Sequence, residues 1–436
     1  MRRTIKISCK YLSLICVFAF LSLGCTDSSS DDDKSSDKAF TEFGFTKTLN
    51  TDLSSDVVAN ISSTDISATV PYNTDVTSLI ATFTATGESV KVSSTAQVSG
   101  TTANDFSSAV TYTVTAEDGT TQNYTARVLS FTMINVPGGI TFFTDIDDLG
   151  GSATVANAYL IGETEVTYEL WYRVYNWAIS NGYTFANAGI EGDDGTTDAA
   201  PTSQKPVTTI NWRDAMVWTN ALTDYYNEKN GTSLTKVYYS DSDYATPIRT
   251  ATDSATITEL TAGSQDNPYI KSGSTGNTDM ANNTATGFRL PTSAEWELAA
   301  RYINDANSDG DIRDAGEFYP GDFASGADDD YNNTAVSDYD GDSDIENTTN
   351  VAVYNGNSGS TPAAVKTKSP NALGLYDMSG NMWEFTFDLG GMAGYRIMRG
   401  GCYICSNDSS QIGNDNNLTS PDGENDSRGF RFARTQ

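Results

Sequence analysis

The sequence NALGLYDMSGNMWEF, residues 371–385, decides the fold of the C-terminal part of the chain. It places Asp377 and Glu384 on either side of a Gly-containing turn and then runs into apolar and aromatic residues. Three further segments rich in Gly, Arg and aromatic residues accompany it in a fixed order. They are GFRLPTSAEWELAARY (287–302), YRIMRGG (395–401) and SRGFRFAR (427–434).

Together and in this order, these four blocks resemble the sulfatase-modifying-factor family, the relatives of the formylglycine-generating enzyme. The resemblance extends from about residue 136 to residue 436. It implies an α+β fold related to that of the C-type lectins, with long irregular loops. It also implies one of two functions, because noncatalytic relatives bind ligands with the surface that the oxidases use for chemistry.

Composition excludes several classes of function. The formal net charge is −31 and the chain contains no His. Nucleic acid is therefore not an expected partner, since phosphate binding needs clustered Lys and Arg. Catalysis by Ser-His-Asp or Cys-His sets is excluded, as is the commonest zinc ligand. Closely spaced carboxylates instead favour a cation such as calcium.

The first 25 residues read as a lipoprotein signal peptide. Basic residues precede the apolar stretch 11–23, and Cys25 follows Gly24 at the expected cleavage site. Residues 26–38 are rich in Ser and Asp and predict a flexible linker. We therefore expect a chain attached through lipid on Cys25 to a bacterial membrane, in the cell envelope. An ordinary cleaved signal with an incidental Cys is the alternative.

Residues 39–130 alternate Ser and Thr with Val, Ile, Phe and Tyr. This period of two, with turn signals about every ten residues, predicts antiparallel strands of an all-β sandwich. The segment resembles cadherin- or immunoglobulin-like domains, and Gly119 predicts a hairpin turn. A spacer is the expected role, and glycan or protein binding is the alternative.

Residues 136–436 change to a mixed pattern of helices and strands. Apolar residues at helical spacing predict three helices, with Thr167, Asn211 and Thr292 as N-caps. Glu295 completes a capping box with Thr292. Between them lie Gly- and Asp-rich loops at 246–285 and 323–349, which are longer than simple connectors.

Asp377 and Glu384, together with backbone carbonyls of the turn between them, form the hard-oxygen set that calcium prefers. The family resemblance implies a structural calcium held by Asp377, Gly380, Met382 and Glu384. It implies a second, less complete site at Asn350 and Val351. The alternative is a tight turn with solvated acids.

Two acidic loops predict cation binding without the family resemblance. Residues 305–312, DANSDGDI, follow the opening of an EF-hand calcium loop. Gly316 occupies the twelfth position, which usually carries an acid, and Glu317 follows it. Residues 337–346 form a poorer version of the same pattern. The ligands expected in the first loop are Asp305, Asn307, Asp309 and Asp311.

Cys402 and Cys405 decide whether the domain performs chemistry. The family resemblance implies two Cys that hold Cu(I) and activate oxygen; Cys405 aligns with the first and Ser410 with the second. Three interpretations remain open: a structural disulfide or buried thiols, an altered copper or redox site, and a formylglycine-generating oxidase. A Ser hydroxyl is a poor ligand for Cu(I).

We therefore expect a membrane-anchored lipoprotein whose C-terminal domain is noncatalytic. The expected cofactor is structural calcium, with Cu(I) only if the domain is catalytic. The expected partner is an unidentified protein or glycan ligand. The alternative is an oxidase that converts a protein Cys or Ser to formylglycine.

Overall fold

The computed structural model describes residues 34–149, 151–192, 203–255, 261–327, 345–392, 394–415 and 417–436. The predicted signal peptide, the expected lipidation at Cys25, residues 26–33 of the expected linker and residues 337–344 of the acidic loop 337–346 lie outside these residues. In the part of the chain that is described, no helix combines the length and apolar composition needed to cross a membrane.

In the described residues 34–130, the regular elements are all strands. They are β1 (Phe40–Phe45), β2 (Val57–Val58), β3 (Asn60–Ser62), β4 (Asp65–Thr69), β5 (Leu79–Ile80), β6 (Thr82–Ala85), β7 (Ser89–Val92), β8 (Thr95–Ala96), β9 (Ala103–Asn104), β10 (Val110–Thr115) and β11 (Thr121–Leu129). They form a sheet β2-β1-β6, a sheet β3-β4-β11-β10-β7-β8 and a pair β5-β9.

The two larger sheets enclose one apolar core, because alternate residues of each strand point inward. Phe40 and Phe43 of β1 meet Tyr112 of β10 edge to face. Gly119, with φ 83°, turns the β10–β11 hairpin as predicted. One part of the prediction is wrong: β4 and β11 pair in parallel, although antiparallel strands were expected throughout.

The C-terminal part contains the remaining strands. They are β12 (Met133–Val136), β13 (Ile140–Thr144), β14 (Gly151–Val155), β15 (Tyr159–Gly162), β16 (Ile190–Glu191), β17 (Val207–Thr208), β18 (Tyr238–Tyr239), β19 (Tyr269–Ile270), β20 (Phe288–Arg289), β21 (Trp383–Leu389), β22 (Arg396–Arg399), β23 (Asn417–Thr419), β24 (Arg428–Gly429) and β25 (Ala433–Thr435). Two four-stranded sheets, β12-β15-β25-β20 and β23-β22-β21-β24, organise it, and the other strands form short pairs.

The described residues of this part also contain four α-helices. They are α1 (Tyr168–Ser180), α2 (Trp212–Asn230), α3 (Ser293–Arg301) and α4 (Ile345–Val351). All three predicted N-caps are confirmed. The Thr167 hydroxyl accepts from the Leu170 amide, and capping boxes start α2 and α3. Gly231, with φ 63°, ends α2.

The N-terminal sandwich packs directly on helices α1 and α2. The hydroxyls of Thr69 and Tyr225 are 2.6 Å apart, and Arg173 donates to the Ala68 carbonyl oxygen at 3.0 Å. Tyr72 stacks near Phe131, and its hydroxyl accepts from Arg434 at 2.8 Å. The two parts therefore share a contact surface formed by hydrogen bonds and aromatic rings.

Asp214 gives the fold a measurable dependence on pH. Its side chain completes the capping box of α2 with Asn211, and it accepts from the Ala186 amide and from Asn187 Nδ2. Burial nevertheless raises the pKa of Asp214 to about 6. The unfolded chain has a carboxyl pKa of about 3.9. The folded state therefore holds this proton more tightly, and the associated stability is lost as the pH rises from about 4 to about 6.

Replacing Asp214 by Asn should remove that contribution. Between pH 4 and pH 7, the free energy of unfolding should fall for the parent chain relative to the variant by about 2 kcal/mol. Chemical denaturation at several pH values measures the difference. Asp52→Asn, at an exposed position, controls for the lost charge. A constant difference between parent and Asp214→Asn would contradict the prediction.

Candidate functional site

A buried ion pair lies at the centre of the C-terminal domain. Glu384 and Arg431 have fully buried side chains. Arg431 donates from Nε and Nη2 to the two carboxylate oxygens, each at 2.6 Å. The indole Nε1 of Trp296 donates to Glu384 Oε2 at 2.8 Å. Glu384 thus uses three of its roughly four acceptor positions.

Two more buried carboxylates lie close to this pair. Glu165 accepts from Asn381 Nδ2 at 2.7 Å and from the Met382 amide at 2.9 Å. Burial, followed by the charges of Asp377 and Glu384, holds its pKa well above the usual range. Asp377 Oδ2 accepts from the Lys366 amide at 2.9 Å. Burial likewise raises the pKa of Asp377 to about 6.

Asp377 Oδ1 fits the expected calcium ligand. It is buried and has no hydrogen-bond partner, and the residue is 2% exposed. Such an oxygen costs free energy unless something satisfies it. Asp377 adopts φ 56° and Gly380 adopts φ 77°, so the chain turns tightly between Asp377 and Met382. Asp377, the Gly380 and Met382 carbonyls and the remaining Glu384 acceptor position are therefore the residues that would hold the ion.

The second family site is less well supported by geometry. Asn350 and Val351 form the C-terminal end of α4. Asn350 is exposed and its carbonyl accepts from the Ser369 amide, whereas Val351 is buried. Across the residues that the structure describes, no group of three or more His, Cys, Asp or Glu side chains is already arranged to hold a metal.

Helix α3 anchors the strand that leads to the cysteines. Arg399 donates to Ser293 Oγ at 2.9 Å and to Glu297 Oε2 at 2.8 Å. The other oxygen of Glu297 accepts from Arg301, which also donates to Asp148. All but Asp148 are nearly inaccessible to solvent. This chain of charges fixes the end of β22 against the helix.

The two glycines after Arg399 turn the chain sharply. Gly400 and Gly401 adopt φ 97° and 83°, which favours glycine. A Cβ on Gly401 would lie 2.7 Å from the Ser409 carbonyl oxygen. The chain therefore folds back on itself between Gly401 and Ser409, and this return forms the loop that carries the cysteines.

Cys402 and Cys405 are joined by a disulfide, with their Cα atoms 5.0 Å apart. Cys402 is 1% exposed and Cys405 is partly buried against the same apolar cluster. The Cys405 amide donates to the Cys402 carbonyl at 2.9 Å, and the Cys405 carbonyl accepts from the Asn355 amide. Of the interpretations left open by the sequence, the structure contains the disulfide.

This arrangement does not fit Cu(I). The soft ligand that binds copper is the thiolate, and neither sulfur of a disulfide is one. Ser410, where the family resemblance implies a second Cys, has a buried Oγ with no hydrogen-bond partner. Its carbonyl accepts from Ser379 Oγ at 2.8 Å, so the backbone here is fixed. No copper-dependent step follows from these residues.

The structure describes the acidic loop 305–312 with its four expected ligands. Asp305 accepts from the amides of Asp309 and Gly310. Asn307 and Asp309 are exposed. The Asp311 carboxylate is paired with Arg313 through both oxygens. The Asp311 carbonyl oxygen, the group that an EF-hand loop uses at this position, is the one that would hold an ion, and the cation site stays a prediction.

Sequence reasoning missed the partners of the buried carboxylates. Glu165 lies between Thr164 and Val166 just before α1, and Arg431 lies between two Phe residues. Both are fully or almost fully buried. A charge inside an apolar run is a signal that it is paired in the interior. The sequence alone does not indicate which distant charge is the partner.

Removing Arg431 should leave Glu384 as an uncompensated buried charge. Arg431→Met should therefore lower the free energy of unfolding by about 3–5 kcal/mol, and adding Glu384→Gln should restore more than half of the loss. Urea denaturation measures both. Arg127→Met breaks the partly exposed Arg127–Asp65 pair as a control and should cost under about 1 kcal/mol. Equal losses at the two sites would contradict the assignment.

Comparison with known proteins agrees with this geometry. The model of the sulfatase-modifying factor enzyme 1-like domain matches residues 121–436. The match begins inside β11, which belongs to the N-terminal sheet. The SGBP, N-terminal model matches residues 46–128. No curated protein matches the chain.

Three solved structures are among those similar to this chain. Treponema denticola variable protein 1 is 26% identical, with a TM-score of 0.46, over 70% of this chain and 95% of that one. CarF is 24% identical, with a TM-score of 0.46, and the match covers 70% of this chain and 98% of CarF. PvdO from Pseudomonas aeruginosa is 16% identical, with a TM-score of 0.36, over 70% and 94%. Since the family model covers well over half of its residues, this chain belongs to the sulfatase-modifying factor enzyme 1-like family.

Proposed function

We propose that the chain is an envelope lipoprotein whose C-terminal domain binds a protein or glycan ligand and performs no oxidation. The observation that carries the proposal is the bond between Cys402 and Cys405. A family oxidase needs two thiolates at this loop. Here one position is Ser410, and the remaining thiol is bonded to its neighbour.

Reduction of the disulfide would not by itself rebuild the oxidase site. Cys402 would have to replace the thiol that is missing at Ser410. Cys402 is held by Gly401, by the Cys405 amide and by the apolar cluster around it. Ser410 is separately fixed through Ser379. The two positions are therefore not interchangeable without refolding the loop.

The proposed ligand surface is the exposed side of this loop and the segment that it touches. We call it the Cys405 surface and define it as Asn355, Gly356, Ile404, Ser406 and Asp408. All five residues are exposed, and Ile404 is 46% exposed. An apolar side chain surrounded by polar groups suits a ligand that offers both apolar and hydrogen-bonding faces.

Buried contacts beneath the Cys405 surface support its use in binding. The Asn381 carbonyl accepts from the Tyr403 amide at 2.8 Å, and Asn381 Oδ1 accepts from the Ala363 amide at 3.0 Å. Asn381 therefore holds both the cysteine loop, at Tyr403, and the segment that contains Ala363. A surface held in this way loses little conformational entropy when a ligand binds.

The anchor and the calcium belong to the same proposal. Residues 1–25 direct export, Cys25 carries lipid, and residues 26–38 tether the N-terminal sandwich, which acts as a spacer. The ion at Asp377, Gly380, Met382 and Glu384 would stabilise the turn below the Cys405 surface. It is supported by the unpaired Asp377 Oδ1. Calcium titration of Asp377→Asn, described below, tests it.

Turnover is the direct test of the noncatalytic proposal. The whole chain in detergent is reduced, supplied with Cu(I) and oxygen, and given a Cys-containing peptide. We expect no formylglycine by mass spectrometry and no stoichiometric copper, because one thiol of the family pair is absent. Product and bound copper that both disappear in Cys405→Ser would overturn the proposal.

Binding is tested separately with an array of bacterial and host glycans and a panel of envelope proteins. Ile404→Asp should weaken retained ligands at least about tenfold, as expected when an interface anchor is lost. The disulfide-free variant Cys402→Ser/Cys405→Ser should keep measurable binding. Val98→Asp, at a 58% exposed position in the N-terminal domain, is the matched control. Equal losses for Ile404→Asp and Val98→Asp would contradict the surface.

A further inference from the structure

One buried acid in the C-terminal domain has no role in the ion pairs described above. Glu317 is 5% exposed, and its Oε2 is buried without a hydrogen-bond partner. Its Oε1 accepts from the Ala306 amide at 2.8 Å. The carboxylate therefore lies at the start of the 305–311 loop, between Asp305 and Asn307.

We propose that residues 305–317 bind one calcium ion and that Glu317 Oε2 is the ligand that closes the site. The other ligands are the side chains of Asp305, Asn307 and Asp309 and the carbonyl oxygen of Asp311. All of these ligands are oxygen atoms and several are negatively charged. Such a set suits calcium better than a transition metal. The site is separate from Asp377 and from the Cys405 surface.

The sequence pattern left this acid one residue out of register. Gly316 holds the expected position, and Glu317 follows it. The structure accounts for this shift of one residue, because Gly316 adopts φ 88° and the chain turns there. The Glu317 carbonyl then accepts from the amides of Ile303 and Asn304, which pins its backbone beside the end of α3. The side chain consequently reaches back to Ala306.

The opposite side of the loop is equally well fixed. Ile312 is fully buried, and its amide donates to the Thr141 carbonyl at 3.0 Å. The Thr141 amide donates to the Gly310 carbonyl at 2.7 Å. Gly310 adopts φ 78°, and a Cβ there would lie 2.8 Å from the Gly139 carbonyl oxygen. Strand β13 therefore supports the loop as a pairing partner.

Binding requires only the exposed residues of the loop to move. Asp305 and Glu317 are held in place, whereas Asn307 and Asp309 are exposed and contact each other at 3.1 Å. Turning these two side chains toward Glu317 would complete the set. The unpaired oxygen of Glu317 would then gain the partner that its burial requires.

Calcium binding to the whole chain in detergent tests the proposal, with Ca²⁺ alone as titrant. Calorimetry should resolve two ions, one at this loop and one at Asp377. Glu317→Gln keeps the shape of the side chain and should weaken the loop ion at least about tenfold, and Asp309→Asn should do the same. Asp377→Asn should remove only the other ion.

Asp311→Asn is the matched control, because it removes one charge from the same loop while keeping the backbone carbonyl. Its side chain is already paired with Arg313, so affinity should change less than about threefold. Because Trp296 contacts Glu384 at the other site, terbium luminescence is measured in the Asp377→Asn background, where emission sensitised through Tyr302 reports the loop ion. The Tyr302 phenol lies close enough to Asp305 and Glu317 for their charges, after burial, to raise its pKa.

Unchanged calcium affinity and terbium emission in both Glu317→Gln and Asp309→Asn would overturn the proposal. So would an equal loss in Asp311→Asn, which would indicate general attraction to an acidic surface. Near-ultraviolet circular dichroism checks that Glu317→Gln folds. If Glu317→Gln does not fold, the calcium affinity of Asp309→Asn decides the outcome, because Asp309 is exposed. No ligand or turnover is measured, so the result is independent of the proposed binding function.

Discussion

The constraint on which the C-terminal domain depends is that a buried charge must be paired. Two sets of ion pairs satisfy it, and their members come from all four sequence blocks. The contacts of Glu384 with Arg431 and Trp296 join the block 371–385 to the blocks 427–434 and 287–302. The pair of Arg399 and Glu297 joins the block 395–401 to the block 287–302. Since an unpaired partner would cost several kcal/mol, each block fixes the position of the others.

This frame separates the stability of the domain from the chemistry of its loop. The strand β22 is held by Arg399 and Glu297 before the chain reaches Cys402. Beyond the disulfide, Ser379 and Gln411 hold the returning chain. The ion pairs of the frame therefore do not include the residues of the loop, and a fold alone does not determine a function.

Local features of the fold could be predicted from the sequence, and distant ones could not. Thr167, Asn211 and Thr292 cap helices because each side chain accepts from a backbone amide only three residues away. The parallel pairing of β4 with β11 joins segments far apart in sequence, and alternation alone does not encode direction. The disulfide was one of several open interpretations, because spacing permits a bond without requiring it. The pairing of Arg313 with the Asp311 carboxylate was not expected, because nothing in the loop pattern indicates that Arg313 turns back to it.

Glu165, Asp377 and Glu384 bring three buried carboxylates together around one guanidinium group. Arg431 neutralises Glu384 by direct contact, so the excess negative charge lies on the other two. A low-dielectric interior does not hold such an excess without a proton or a cation. The orphaned Asp377 Oδ1 marks where a cation would relieve it. Neither sulfur nor the Ser410 hydroxyl takes part in this balance, so the charge balance of the scaffold does not depend on the chemistry of the loop that carries the cysteines.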